Sequence, residues 1–390
     1  MFEIDVTIVG GGAVGCAVAA ACARRGYSVV LLEQEAGLGR ATTSRNSQVC
    51  HGGMYYPAGT LKARFCVEGR RFIKQFCREH GVGYRECGKL IVATSEDQIP
   101  VLEELHALGL TNGVEDLLLM DGSGLKRLEP EVGAVAALYS PRTGIMDAEG
   151  LAKAFARQAE ENGARVMTGA RVAGLRREDG AWSVTVEPGA VAREGWEHRS
   201  RCVVNSAGLW ADRVAAMAGI DPGRRDWNLH LSRGNYFTVD PRHSGRVKHL
   251  VYPIPPADGS TLGVHVCLDL GGRMRLGPDF EVLDPDPRPG SDGCSLDEDL
   301  DYRVDPGRAG MFYCGAREFL PWLEPDDLTP EMSGIRPKLC AHGFRDFVIV
   351  REDREPWEGM VNLVGIDSPG LTSAPAIGER AASLVDGYLS

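Results

Sequence analysis

Two short, nearly continuous apolar runs stand close to the N-terminus, "IDVTIV" at 4–9 and "SVVLLE" at 28–33. Runs of this kind are typical of strands that are buried on both faces of a parallel sheet. Between them lies an Ala-rich stretch that continues to about Arg25 and is followed by Gly26, a common helix stop. The order strand, helix, strand predicts a βαβ unit within a sheet that carries helices on both faces.

The rest of the chain alternates between helical and strand-like patterns. Apolar residues at helical spacing predict a helix over 62–80, and Asp147 is a predicted N-cap for a helix in the segment 147–167, which leads into a strand. Aromatic and β-branched runs between 230 and 280 predict an antiparallel sheet. Further predicted elements are a strand at 89–94, a helix at 96–108, a hairpin over 170–186, a strand, turn and helix over 201–219, a long surface loop at 283–310, a strand at 361–365 and a helix at 372–388.

This order of elements predicts an α/β protein, α+β overall, with a Rossmann-like nucleotide-binding domain and a second, mainly antiparallel-sheet substrate domain. We expect the nucleotide-binding domain to be discontinuous, because strands and helices of its type recur late in the chain. The predicted boundaries are 1–85, 147–225 and 341–390 for this domain, and 86–146 and 226–340 for the substrate domain.

Composition and charge narrow the classes of partner. The formal net charge of -11 weighs against nucleic acid, because an acidic surface repels phosphate. Eleven cysteines without a CxxC pair or metal-ligand spacing predict reduced thiols in a cytoplasmic protein, and no bound metal. The N-terminus lacks the pattern of a secretory signal, and the most apolar run, 13–23, is too short for a transmembrane span. Any membrane contact is therefore expected to be peripheral.

A glycine motif lies between the first strand and the first helix. Gly10 permits a tight turn, Gly12 lets backbone N–H groups approach a pyrophosphate, and Gly15 allows the helix to pack closely on the sheet. Glu33 ends the second strand, where a carboxylate accepts a hydrogen bond from a ribose hydroxyl. Because Gln34 rather than Arg follows it, we expect no 2′-phosphate on the dinucleotide.

Two later segments favour FAD over NAD as that dinucleotide. "NSAGLWA" (205–211) and "LVGIDSPGLTSAPAIGE" (363–379) each read as a strand end, a turn of small residues and a helix start. The second segment would place a helix N-terminus beside an isoalloxazine, where the helix dipole stabilises negative charge. An NAD-dependent dehydrogenase shares the glycine motif and stays open as an alternative, although it leaves these two segments unexplained.

The chain resembles the FAD-dependent D-amino-acid-oxidase-like superfamily, and within it most closely the L-2-hydroxyglutarate dehydrogenase/oxidase family. The resemblance rests on "SRNSQVCHGGMYYPAGTLKARFC", "VYPIPPADGSTLGVHVCLDLGGRMRLGPD", "SGIRPKL" and "SPGLTSAPAIGE", which follow one another along nearly the whole chain. This sequence has Gln48 where the family has Gly, Cys50 for an aliphatic residue and Gly52 for Ala, and its segment 281–325 also differs. These changes leave the exact substrate open.

The resemblance implies that the unusual stretch 44–59 runs along the flavin. Polar side chains there would donate hydrogen bonds to the pyrophosphate and the ring edge, and small residues would let the backbone approach the ring. The full set of expected cofactor contacts is Gly10, Gly12, Ala13, Val14, Gly15, Glu33, Gln34, Thr43, Ser44, Arg45, Asn46, Ser47, His51, Gly52, Val172, Ala207, Gly208, Gly370, Leu371 and Thr372.

The same resemblance assigns the substrate carboxylate to Arg336, whose guanidinium can grip it with two parallel hydrogen bonds. His51 and His265 are the two candidates for the base that accepts the hydroxyl proton, because a neutral imidazole suits this task near neutral pH. Lys338 is a candidate for holding a second, distal carboxylate. The other substrate-pocket candidates are Tyr55, Tyr252 and Arg275.

These residues together predict oxidation of a small, anionic 2-hydroxy acid, similar to L-2-hydroxyglutarate, to the 2-oxo acid by hydride transfer to non-covalently bound FAD. The alternative is an FAD-dependent oxidase or dehydrogenase of amino acids or secondary amines on the same fold, in a specialised biosynthetic pathway. A flavin-binding protein without activity is a third reading. Oxygen, a quinone and a carrier protein all stay open as electron acceptors.

Overall fold

The computed structural model describes residues 3–188, 194–255, 263–284, 286, 288 and 300–390. Its strands are β1 (Glu3–Val9), β2 (Val29–Glu33), β3 (Val49–Cys50), β4 (Tyr84–Arg85), β5 (Lys89–Ala93), β6 (Leu118–Asp121), β7 (Ala136–Ser140), β8 (Gly144–Met146), β9 (Arg165–Thr168), β10 (Val172–Glu178), β11 (Ala181–Val186), β12 (Trp196–Asn205), β13 (His230–Val239), β14 (Leu250–Pro253), β15 (Val266–Leu268), β16 (Met274–Leu276), β17 (Glu281–Val282), β18 (Leu328–Lys338), β19 (Val348–Arg351) and β20 (Met360–Val364). Its α-helices are α1 (Ala13–Arg24), α2 (Leu61–His80), α3 (Ile99–Thr111), α4 (Gly122–Leu128), α5 (Ala148–Glu161), α6 (Ala211–Met217), α7 (Ala309–Arg317) and α8 (Gly370–Leu389).

The first sheet has the strand order β10-β11-β12-β1-β2-β9, and β20 pairs with both β12 and β19. Strand β1 runs parallel to β2 and to β12, and β2 runs parallel to β9. Val9 lies opposite Leu32 on one side and Asn205 on the other, so the carboxyl ends of three strands meet at one edge. In open sheets of this type, ligands bind at that edge. The predicted α/β class and βαβ opening are confirmed.

The helices that cover this sheet pack closely against one another. Helix α1 consists almost wholly of small buried residues, and it packs against α5 and α8. A side chain at Gly378 of α8 would lie 2.8 Å from the backbone of Ala17. A side chain at Gly69 of α2 would lie only 1.9 Å from the carbonyl oxygen of Thr372. Glycine at these two crossings therefore fixes where the first turn of α8 lies.

The second sheet is mainly antiparallel, as the sequence predicts. Its order is β17-β13-β16-β15-β14-β5-β7-β6, and the long strand β18 pairs with β13 along ten register positions. Only the pair β5 and β14 in this sheet is parallel within the described residues. One face of β5, β14 and β18 points toward the carboxyl edge of the first sheet, where the cavity described below lies.

Most of the remaining predicted elements also appear. Asp147 caps α5, because its side chain accepts a hydrogen bond of 2.9 Å from Gly150 N. Part of the predicted loop 283–310 falls outside the described residues, and near its end a helical turn at Pro306–Arg308 leads into α7. Strands β3, β4 and β8 form a small sheet that joins segments from both predicted domains, so the exact domain boundaries stay a prediction.

Two features of the described residues concern the expected membrane contact and metal binding. No helix there is both long enough and apolar enough to cross a membrane. No group of three or more His, Cys, Asp or Glu side chains in the same residues is arranged to hold a metal ion.

Candidate active site

A cavity of about 550 Å³ lies between the carboxyl edge of the first sheet and the second sheet. Its wall includes the glycine turn after β1, the loop after β2, strand β18 and the first turn of α8. All the residues that the sequence assigns to the site line this cavity, with five exceptions. The exceptions are Gly15, Ser44, Gly52, Thr372 and Arg275.

The glycine turn forms a cradle that has no room for side chains. Gly10 has φ +104, a backbone conformation that favours glycine, and a side chain there would meet the carbonyl oxygen of Ser206 at 2.6 Å. A side chain at Gly15 would lie 1.9 Å from the carbonyl oxygen of Gly10, so Gly15 packs the helix rather than lining the cavity. Gly12, Ala13 and Val14 line the cavity at the N-terminus of α1, although Ala13 N already donates a hydrogen bond of 3.0 Å to Thr43 Oγ1. This cradle fits the pyrophosphate of a dinucleotide.

Glu33 lines the cavity at the end of β2, and the backbone holds its carboxylate in place. One oxygen accepts a hydrogen bond of 2.6 Å from Gly11 N, and the other accepts one of 2.8 Å from Glu35 N. Burial raises the pKa of the Glu33 carboxyl, whereas these backbone hydrogen bonds act to lower it. A carboxylate that is held this way can still accept a hydrogen bond from a ribose hydroxyl.

The loop after β2 is organised by its own side chains. Asn46 donates hydrogen bonds to the carbonyls of Thr42 and Thr43, and its oxygen accepts one from Gln48 N. The expectation for Ser44 is not supported, because its exposed hydroxyl donates to the carbonyls of Arg40 and Ala41 and lies outside the cavity wall.

Thr372 and Gly52 support the site from behind the wall. Thr372 Oγ1 accepts a hydrogen bond of 3.0 Å from His51 N and donates one of 3.2 Å to the carbonyl of Val49. A side chain at Gly52 would meet Met54 at 2.6 Å and Ser140 at 3.1 Å, so this glycine serves internal packing. Both expected cofactor contacts are thus better described as positioning residues for the cavity wall.

His51 is held by its backbone, while its ring faces the cavity. The side-chain atom Nδ1 is buried and has no hydrogen-bond partner in the described residues. Burial is the main reason that the pKa of His51 lies well below its usual value, and the positive charge of Lys89 lowers it further. The ring is therefore neutral at neutral pH, as a proton acceptor must be.

His265 is more tightly bound within the protein. Its ring stacks on Tyr252 with 3.7 Å between the centroids, and Nδ1 donates a hydrogen bond of 2.8 Å to the carbonyl of Gly263. Burial lowers the pKa of His265 to about 3. Because Nδ1 is used as a donor, only Nε2 is left as an acceptor toward the cavity.

Arg336 and Lys338 lie on β18, and both line the cavity. The Arg336 guanidinium nitrogens lie 3.4 and 3.5 Å from the carbonyl oxygen of Asp279, and Arg336 has no ion-pair partner among the described residues. Gly234 on the neighbouring strand leaves space for the guanidinium, because a side chain there would lie 2.4 Å from it. The Lys338 ammonium lies 5.0 Å from the centroid of the Phe280 ring, and burial lowers the pKa of Lys338.

The structure does not support Arg275 as a substrate residue. Its guanidinium lies 2.9 Å from the carboxylate of Glu331 and 3.9 Å from that of Asp269, and it does not line the cavity. The residue belongs to β16, whose side chains alternate between two faces of the sheet, and the register places this one away from the cavity.

Sequence reasoning missed two lysines near the site. Lys62 lines the cavity and forms a buried ion pair of 2.6 Å with Asp367, which lies in the turn before α8. Lys89 is fully buried behind Tyr55 and Tyr252, and its ammonium has no hydrogen-bond partner in the described residues. The sequence shows that a lysine opens the otherwise apolar strand "KLIVA", but it does not show which side chains that lysine faces.

A glycine cradle at the N-terminus of α1, a carboxylate at the end of β2 and a substrate-sized space next to them define the class of dinucleotide-dependent oxidoreductases. A sequence model described as FAD dependent oxidoreductase matches residues 5–384, so the chain belongs to this family and its cofactor is FAD. The residues that line the cavity fit this cofactor, as the cradle and the carboxylate of Glu33 show.

Comparisons with individual proteins agree with this family. A mitochondrial L-2-hydroxyglutarate dehydrogenase from Arabidopsis thaliana is 37% identical over 98% of this chain and 83% of its own length. An L-2-hydroxyglutarate dehydrogenase from Escherichia coli K12 is 29% identical over 99% of this chain and 94% of its own length. The solved structure of an L-alpha-glycerophosphate oxidase from Mycoplasma pneumoniae with FAD bound has a TM-score of 0.83 and 26% identity, covering 99% of this chain and 95% of that one.

Proposed function

We propose that this enzyme oxidises L-2-hydroxyglutarate, or a 2-hydroxy acid close to it in size and charge, to the corresponding 2-oxo acid. One observation carries the proposal. The guanidinium of Arg336 and the neutral ring of His51 face one cavity that also contains the dinucleotide cradle, and neither forms an ion pair with a described residue. A carboxylate and a hydroxyl on adjacent carbons match such a pair.

Bound FAD supplies an acceptor for the hydrogen and the electron pair that leave the substrate carbon. Arg336 holds the α-carboxylate and so fixes the carbon next to it. The His51 ring accepts the proton of the hydroxyl group, for which its low pKa keeps it available. His265 Nε2 is the second candidate for this proton, but its ring is already fixed by the stack on Tyr252.

The size and charge of the substrate follow from the two lysines at the cavity wall. Lys62 is neutralised by Asp367, whereas Lys338 has no ion pair with a described residue. Lys338 lies two residues beyond Arg336 on the same strand, so both side chains can lie on the same face. This arrangement supports a dicarboxylate whose distal carboxylate is held by Lys338.

The cysteines bear on the cellular location of the protein. The ten cysteines of the described residues are all free, and seven of them are buried, which supports a reducing compartment such as the cytoplasm. If the electron acceptor is a membrane quinone, we propose that the enzyme contacts the membrane peripherally and is not an integral membrane protein. Comparing turnover with oxygen, with a soluble quinone and with an electron-accepting dye would distinguish the acceptors.

The test of the function is identification of the product. We expect the holoenzyme with an electron-accepting dye to convert L-2-hydroxyglutarate to 2-oxoglutarate, detected by mass spectrometry, and to leave the D-enantiomer unchanged. L-Glutamate serves as the matched control, since it carries an amino group in place of the hydroxyl. Conversion of glutamate but not of the hydroxy acid would overturn the proposal.

A further inference from the structure

The second sheet places a lysine directly behind the part of the cavity wall that contains His51, Tyr55 and Tyr252, which we call the oxidising end of the cavity. Lys89 opens β5, and the parallel pairing of β5 with β14 sets Lys89 opposite Leu250 and Ile91 opposite Tyr252. Lys89 and Tyr252 therefore project from the same face of the sheet, and Tyr252 lies two residues beyond the partner of Lys89 on β14. The side chain is fully buried, although the rest of β5 would form an equally good strand with an apolar residue there.

The surroundings of Lys89 do not neutralise its charge. Its ammonium lies 4.5 Å from the centroid of the Tyr55 ring and 4.6 Å from that of the Tyr252 ring, and it forms no ion pair with a described residue. Contacts of this kind with two ring faces stabilise a cation only in part. A buried ammonium without a carboxylate partner is costly, and such residues are typically kept for a function.

Other polar atoms around this end of the cavity are also unsatisfied. The hydroxyl groups of Tyr55 and Tyr252 and the Nδ1 atom of His51 are buried without a hydrogen-bond partner in the described residues. Tyr55, Tyr252 and His51 line the cavity, and Lys89 lies one layer behind them. A negatively charged ligand in the cavity would offer the two tyrosine hydroxyls an acceptor and would balance the positive charge of Lys89.

Each neighbouring element contributes titratable groups that face Lys89. The loop before α2 contributes His51 and Tyr55, the β14 strand Tyr252, and the segment that enters β15 His265. The thiols of Cys66 on α2 and Cys267 on β15 also face it, and burial raises the pKa of each to about 12. None of these six groups carries a negative charge at neutral pH.

We propose that Lys89 is a positioning residue that, when protonated, places a positive charge behind the oxidising end of the cavity, where it attracts the carboxylate substrate and disfavours a second cation on His51. This inference rests on the proposed function and deepens it, because it assigns the selection of an anion to a residue that does not line the cavity. The rings of Tyr55 and Tyr252 lie between the Lys89 ammonium and the cavity.

The proposal gives ligand binding a specific coupling to protons. Burial lowers the pKa of Lys89 to about 7, so this ammonium is only partly protonated at pH 7.5 in the free enzyme. An anion in the cavity favours the charged form and should draw a proton onto Lys89 as it binds. His51 and His265 contribute little at this pH, because their pKa values lie far below it.

The test is calorimetric titration of the holoenzyme with glutarate, a dicarboxylate that has no hydroxyl group to oxidise. Titrations at pH 7.5 in phosphate and in Tris, buffers of different ionisation enthalpy, give the number of protons taken up. We expect wild-type enzyme to take up roughly half a proton or more. Lys89→Met should take up almost none and bind glutarate about tenfold or more weakly, since a buried charge interaction is lost.

Two further variants separate charge from packing. Lys89→Arg keeps the charge but cannot lose its proton, so we expect binding within a few-fold of wild type without proton uptake. Lys153→Met removes an exposed lysine that pairs with Glu149 on α5, and it should keep wild-type binding and uptake. The FAD content of each variant shows whether it has folded. If Lys89→Arg does not fold, the comparison of wild type with Lys89→Met decides.

The possible outcomes are distinct. Wild-type proton uptake in Lys89→Met, or no binding of glutarate by the wild-type enzyme, would overturn the role of Lys89. Proton-coupled glutarate binding that depends on Lys89, together with no product from L-2-hydroxyglutarate, would support Lys89 and overturn the proposed substrate instead.

Discussion

At the residue scale, the oxidising end of the cavity is distinguished by polar atoms that the protein itself does not satisfy. His51 Nδ1 and the Tyr55 hydroxyl are buried and unpartnered in the described residues, and Arg336 has no carboxylate beside it. Buried polar groups are nearly always paired in folded proteins, so such a group of exceptions indicates where a ligand binds.

The two histidines can be separated by substitution. We expect His51→Ala to slow anaerobic reduction of bound FAD by substrate about 100-fold or more, the usual size of a lost general base. His265→Ala should cost less, because its ring is already held by Tyr252 and Gly263. Stopped-flow absorbance of both FAD-loaded variants measures this. A larger loss in His265→Ala would transfer the base to that residue.

The role of Arg336 in holding the substrate carboxylate can be tested by comparing two Arg-to-Lys substitutions. Arg336→Lys should raise the Kd of substrate about 10- to 100-fold, because an ammonium cannot make two parallel hydrogen bonds to a carboxylate. Arg275→Lys, on the same sheet but paired with Glu331, should change the Kd by no more than a few-fold. Equal effects of the two substitutions would remove Arg336 from the site.

Some residues of the site could be predicted from the sequence and others could not, for a physical reason. Gly10 and Glu33 were predictable because their tasks follow from a single turn and the end of one strand. Lys89 was not, because its position behind Tyr252 depends on a pairing between strands that are far apart in the chain. Arg275 was misassigned for the same reason, since the register of β16 decides which face it occupies.

At the element scale, the first turn of α8 is the most constrained part of the site. It carries the cavity residues Gly370 and Leu371, and its Thr372 holds the backbone of His51. The close crossing of α2 at Gly69 sets its position. The helix itself was predictable from the sequence, but this crossing was not, because nothing local to Gly69 indicates which helix it meets.

A methyl group at that crossing should therefore affect the cofactor site. We expect Gly69→Ala to lower the free energy of unfolding by about 1–3 kcal/mol, the usual cost of overpacking, and to weaken FAD retention. Gly310→Ala is the matched control, because Gly310 also lies in a helix but has open space around it. Thermal unfolding and FAD content of both variants give the result. A Gly69→Ala variant as stable as Gly310→Ala would show that α8 tolerates displacement.

At the scale of the whole molecule, the acidic chain encloses a cationic site. The formal net charge is -11, yet Arg336, Lys338 and Lys89 lie at or behind the cavity with no ion pair to a described residue. An anionic substrate is thus attracted locally against the overall charge. That the first sheet takes strands from early and late parts of the chain was predictable from repeated strand and helix patterns, whereas the way the second sheet closes the cavity depends on register.

The burial of Lys89 makes the free energy of unfolding depend on pH. The pKa of Lys89 is about 7 in the folded protein and near 10.5 in an unfolded chain, so the unfolded state binds more protons between these values. Lys89 therefore makes the free energy of unfolding rise as pH increases from 7 toward 10.5. We expect Lys89→Met to be more stable than wild type at pH 6, by a margin that shrinks at pH 9.5.

Thermal unfolding of the two holoenzymes at both pH values measures that margin. Lys153→Met should track the wild type at each pH, because its side chain is exposed. A margin that is the same at pH 6 and pH 9.5 would mean that Lys89 keeps an ordinary pKa in the folded protein.

The most direct test of the central claim is the visible spectrum of the purified holoenzyme under anaerobic conditions, before and after addition of substrate. We predict a flavin spectrum that bleaches with L-2-hydroxyglutarate and does not bleach with D-2-hydroxyglutarate or L-glutamate. Bleaching by an amino acid or a secondary amine, with no response to any 2-hydroxy acid, would contradict it.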